Sequence, residues 1–240
     1  MTGVQTCALP ISKQILSSYT TPDEWAVSLR NYAWADPSAE GHAFLRERAS
    51  ELIRNDAWRE KPSVGYLEAF DVIVHTQGFD LVPDLAMLAR EQDSRGVAYA
   101  AYLALDRLTL SSPARALAPL VDRPELMIGR EKTRANFVAR ADVRDPEQTV
   151  IVERYLLDAS RTAEELETFS GIFPSANYMV SNNLLTPTVT PSRNELVQRD
   201  RASLSKVGEW LHDSRFERLR PHLTTIQERL HAFVSQASTP

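Results

Sequence analysis

Leu81-Val82-Pro83-Asp84-Leu85-Ala86-Met87-Leu88, answered after a turn near Asp93 by Val97, Ala100, Ala101, Ala104, Leu105, Arg107 and Leu108, is the stretch that decides the fold. Both halves repeat apolar residues at spacings of three and four, the period of an α-helix. Alanines on adjacent turns let a second helix approach closely, and Leu105 and Leu108 fill the seam. The pattern predicts two helices packed against each other.

Working outward, Trp25, Leu29 and Tyr32 give one helical stripe, and Phe44, Leu45, Ala49, Leu52 and Ile53 give the next. A capping residue followed by Pro at the first helical position recurs at Thr21-Pro22, Asp36-Pro37, Ser112-Pro113 and Asp145-Pro146. A further helix is expected over 64–77 on Leu67, Phe70, Ile73 and Val74, closed by Gly78 in a left-handed conformation. Thr162-Ala163-Glu164-Glu165 reads as a capping box that opens a helix through Leu166, Phe169 and Ile172. Nearer the end, Leu196, Val197, Leu204, Val207, Trp210 and Leu211 are expected on one face. Phe216, Leu219, Leu223, Ile226, Leu230 and Phe233 form a second seam, which docks on the chain's own core or serves a partner helix. Residues 193–240 are thus read as C-terminal capping helices.

The segment Leu81 to Leu108 resembles a HEAT repeat, its first half matching the A helix and Val97 to Leu108 the spacing of the B helix. A vaguer echo runs from Asp145 to Leu157. Ala98 stands where the family commonly has Arg, which removes a residue of the usual polar ladder between repeats. The resemblance implies an all-α fold, antiparallel helix pairs stacked as a short α-solenoid, whose extended surface binds a protein or peptide.

Residues 174–192 carry no charge and break the helical pattern with Pro187 and Pro191. An irregular loop or small hairpin turning at Ser181-Asn182-Asn183 is expected there. Long irregular segments in compact domains are often functional. Asn177, Tyr178, Met179, Asn182, Asn183 and Leu184 are therefore the candidate binding residues. Two functions follow: a non-enzymatic interaction or scaffold domain, or an enzyme or ligand-binding protein with its site on this segment.

The net charge of −5 and a pI near 5.6 withhold the positive field on which non-specific nucleic-acid binding depends. The local basic stretch Arg130 to Arg144 contains only Phe137 for stacking and is read as a solvated helix face. No phosphate loop, nucleophile elbow, H-E-x-x-H or Cys/His metal spacing occurs, so no catalytic residue, metal or cofactor is assigned. Asp71 and His75, one turn apart, could orient a base, but a surface or capping pair is the commoner role. No apolar run is long enough to span a bilayer.

The leading residues Met1-Thr2-Gly3-Val4-Gln5-Thr6-Cys7-Ala8-Leu9-Pro10-Ile11 resemble a translated sequencing-library adapter. The expectation is that residues 1–12 stand outside the fold and that 13–240 form a single, N-terminally truncated helical domain, its compartment undetermined.

Overall fold

The computed structural model describes residues 5–18, 21–63, 66–67, 69–91, 95–176 and 191–237. Among them the chain is all-helical, with no strand: α1 (Gln5–Ser18), α2 (Pro22–Ala35), α3 (Ala39–Ile53), α4 (Asp56–Glu60), α5 (Phe70–His75), α6 (Val82–Leu88) and α7 (Arg95–Ser111) come first. After them come α8 (Pro113–Asp122), α9 (Glu131–Val138), α10 (Pro146–Leu157), α11 (Ala163–Ile172), α12 (Arg193–His212) and α13 (Arg220–Ala237). Short 3-10 turns lie at Phe79–Leu81, Pro124–Met127 and Ser214–Leu219. Helix α1 runs unbroken across residue 12.

Local chemistry sets the helix starts. Thr21, Asp145 and Thr162 accept backbone N–H groups as N-caps, the first two followed by Pro at the first helical position. Ser112-Pro113 also opens a helix, but without a side-chain capping bond. Asp36-Pro37 does not open one. Asp36 instead ends α2, where it accepts from the Tyr32 hydroxyl (2.9 Å), and Ser38 caps α3.

The helix expected over 64–77 is interrupted: Tyr66 and Leu67 are helical, Ala69 lies in a turn, and α5 begins at Phe70. Its end is also shifted by one residue. Gln77 takes the left-handed conformation (φ 51), and the Gly78 N–H reaches back to the Ile73 carbonyl (2.9 Å) while Gln77 N–H reaches Val74. This is a Schellman motif with Gln at C′ and Gly at C″. Gly78 is needed for space, since a Cβ there would sit 2.9 Å from Ile73 Cγ2.

The described residues form two compact units, one up to Leu108 and one from Thr109 onward. In the first, α1 packs on α2, α2 on α3, and α5 on both α2 and α3. Trp25 meets Trp58 edge-on at 5.5 Å, and Tyr66 meets Phe70 at 5.8 Å. The decisive stretch forms two helices whose expected faces are buried: Val82, Leu85, Ala86 and Leu88 on α6, and Val97, Ala100, Ala101, Ala104, Leu105, Arg107 and Leu108 on α7.

In the second unit α8 packs with α10, α9 with α11 and α11 with α13, while the most extensive packing is between the consecutive helices α12 and α13. A line of rings joins them, Tyr155, Phe169, Phe173, Trp210 and Phe216, with successive centroids 4.9–6.3 Å apart. The buried face of α12 is Arg199, Ser203, Val207 and Trp210, so Leu196, Val197, Leu204 and Leu211 are only half-buried, contrary to expectation. Five residues of the second seam, Phe216 to Leu230, are buried in this unit. Phe233 is 48% exposed.

Candidate functional site

The helical wheel of α2 explains the site. Trp25, Leu29 and Tyr32 point into the core, and at about 100° per residue the positions roughly 180° away are Val27 and Trp34. Both are exposed, Val27 at 44% and Trp34 at 71%. Asp23, Glu24 and Asn31 share that outward stripe. On α1, Ile11 and Ile15 are one turn apart and line the same groove, which has a volume of about 450 Å³ and is completed by Asp23, Glu24, Val27, Ser28 and Asn31.

The groove has an apolar floor and an acidic end. Asp23 accepts from the Ser63 hydroxyl (2.6 Å) and Glu24 from the Thr21 hydroxyl (2.9 Å). Both carboxylates lie in the first turn of α2, where the helix dipole favours negative charge. Lys13 of α1 lies over the rings of Tyr32 and Phe44 and is not part of the groove lining. Sequence reading used the buried stripe of α2 and passed over its opposite. Two large apolar residues seven apart, Val27 and Trp34, were the available signal.

The expected binding residues Asn177, Tyr178, Met179, Asn182, Asn183 and Leu184, and the hairpin around them, lie outside the described residues. Their flanks are described. The Ser175 N–H bonds the Ala139 carbonyl, Arg229 donates to the Phe173 carbonyl, and Arg199 donates to the Arg140 and Ala141 carbonyls (2.6 and 3.1 Å). Asp200 is half-buried beside Arg199 and Arg229. Burial raises its pKa, and the two guanidiniums offset only part of that rise.

Asp71 and His75 are both half-buried, and the His75 ring packs edge-on against His42 at 5.0 Å, a pairing across 33 residues that no local pattern signals. The basic stretch is not a uniformly solvated face. Arg134 and Arg140 are each 4% exposed. Arg134 grips Glu165 through two hydrogen bonds (2.8 and 2.9 Å), so the Glu165 carboxylate serves this pair while Thr162 caps the Glu165 N–H.

Arg161 and Tyr155 complete that buried cluster. Arg161 bonds Asp158 (2.8 Å) and the Val121 carbonyl (3.3 Å), and its pKa is lowered by burial and by Arg134. Burial and the adjacent Glu165 push the Tyr155 phenol well above its ordinary pKa. The cluster is enclosed, and its short ion pairs suit it to fixing α9 against α11. Among the described residues no three His, Cys, Asp or Glu side chains gather as a metal site, and no helix is long and apolar enough to cross a membrane. No protein-family model, no curated protein and no solved structure matches the chain.

Proposed function

We propose that the chain is a non-enzymatic interaction domain, a short HEAT-like array of antiparallel helix pairs that binds a protein or peptide. The packing of α8 on α10, α9 on α11 and α11 on α13 supports the array, because stacked pairs make neighbours of helices n and n+2. The observation that carries the binding role is the outward face of α1 and α2. Ile11, Val27 and Trp34 are 44–71% exposed there on adjacent helices, and apolar surface gathered in one place marks an interaction site.

Selection of displayed peptides on the intact chain tests this. Binders should be enriched that lose the V27S/W34S double variant, whose two positions are exposed and whose fold should be retained by circular dichroism. Enrichment that ignores both substitutions overturns the reading.

A second reading, an enzyme or ligand-binding protein with its site on residues 174–192, draws on Asp200. This carboxylate of raised pKa stands beside Arg199 and Arg229, whose hydrogen bonds tie down both flanks of that segment. Perturbed acids of this kind cluster at functional sites.

A further inference from the structure

Three consecutive helices of the second unit end on guanidiniums supplied from the C-terminal stretch. The last carbonyls of a helix have no partner within it, and a nearby Arg can serve them. Just past α9, the Arg140 and Ala141 carbonyls accept from Arg199 of α12 (2.6 and 3.1 Å). At the end of α10, the Leu156 and Asp158 carbonyls accept from Arg218 of the Ser214–Leu219 turn (3.0 and 2.8 Å). At the end of α11, the Phe173 carbonyl accepts from Arg229 of α13. Each bond spans 56 to 62 residues of chain, so α12, the turn and α13 meet α9, α10 and α11 in the same order.

The C-terminal pair is also a body of its own, since α12 and α13 pack on each other more extensively than either packs on any other helix. We infer that α12, the Ser214–Leu219 turn and α13 form a latch, which docks on the ends of α9, α10 and α11 and opens as one body, with Asp200 setting its hold. Opening breaks the three guanidinium contacts together, and with them the bond from Trp210 Nε1 to Glu153 (2.9 Å) and the ring contact of Phe173 with Trp210. Trp210, 2% exposed when the latch is closed, is then uncovered.

Asp200 stands beside two of the three guanidiniums, Arg199 on its own helix and Arg229 on α13. At the end of α11 Arg229 meets the neutral Phe173 carbonyl, and from the connection between α9 and α10 Asp142 faces Arg199. An ionised Asp200 competes with the carbonyls for both guanidiniums and is itself desolvated in the closed latch. Burial outweighs the two cations and raises its pKa, so the closed state binds the proton more tightly than the open one. The ionised form therefore weakens the latch above that pKa, and the penalty disappears as pH falls to the ordinary carboxylate range.

Hydrogen exchange of the intact chain in low urea, read by mass spectrometry, tests the latch. Amides of α12 and α13 should lose protection in one opening, at lower urea than those of α9, α10 and α11. R218Q should speed that opening about 10-fold or more, through the loss of two charged hydrogen bonds, and leave α2 and α3 unchanged. D200N should slow it at neutral pH, and the difference from wild type should close as pH falls toward about 4. Exchange of α12 and α13 in separate openings, or only together with α9 to α11, overturns the latch, and this wild-type pattern decides it even where R218Q fails to fold. A D200N effect that does not change with pH overturns the role of Asp200.

Discussion

Glu165 gives its backbone N–H to the Thr162 hydroxyl and its carboxylate to Arg134. The two side chains are 0% and 5% exposed, so neither charge has water to fall back on. Removing one partner of such a pair strands the other in a low-dielectric interior, which costs about 3–5 kcal/mol. Glu165→Ala should lower the stability of the chain by that amount in urea denaturation. Thr162→Ala, which removes only a cap, should cost about 1 kcal/mol. The local half of this site was legible, since Thr followed three residues later by Glu is a helix start in any context. The buried half was not. Arg134 lies 31 residues before Glu165, and nothing in the run from Arg130 to Arg144 separates a guanidinium that meets a buried carboxylate from one that meets solvent.

Helix ends belong to a larger scale, and α5 is the instructive one. Its Schellman motif puts a Cβ-bearing residue, Gln77, at φ 51 and spends the neighbouring glycine on a close approach to Ile73. A left-handed Cβ costs roughly 1–2 kcal/mol. Glycine at that position removes the clash but adds a backbone entropy cost of roughly 0.5–1 kcal/mol. Gln77→Gly should therefore stabilise the chain by about 0.5–1 kcal/mol in denaturant titration, whereas Gly78→Ala should destabilise it. The sequence marks the stop of this helix but not which of two adjacent residues turns left-handed, because that depends on Ile73 pressing on position 78. Asp36-Pro37 failed for a related reason. The Tyr32 hydroxyl takes Asp36 for the end of the preceding helix, and Ser38 is left to start the next.

At the scale of the whole molecule, helical class and core were legible wherever periodicity alone decides burial. Trp25, Leu29 and Tyr32 on α2, and Ala100, Ala101, Ala104, Leu105 and Leu108 on α7, all sit inside as their spacing requires. The groove of α1 and α2 was less visible, because a stripe opposite the core is ordinarily polar and only exposure distinguishes Val27 and Trp34 from residues under another helix. The C-terminal seam tests the same logic from the other direction. Six apolar residues from Phe216 to Phe233 share one period, yet Phe216, Leu219, Leu223, Ile226 and Leu230 are at most 1% exposed and Phe233 is 48% exposed, with the Arg229 guanidinium over its ring at 5.8 Å. Period therefore does not measure contribution. Phe169 stands between Tyr155 and Phe173 in the line of rings that joins α10, α11 and α12. Its removal deletes a buried aromatic from a packed interior, which costs about 3–5 kcal/mol through lost transfer energy and a residual cavity. Phe233→Ala leaves no enclosed void and should change stability by no more than about 0.5 kcal/mol, as exposed substitutions do. Urea denaturation of Phe169→Ala, Leu230→Ala and Phe233→Ala should thus rank them as a large loss, a loss of about 2–5 kcal/mol, and almost none. A Phe233→Ala loss equal to that of Leu230→Ala would mean that the seam runs on through the last turns of α13 and that its final phenyl ring is covered in solution.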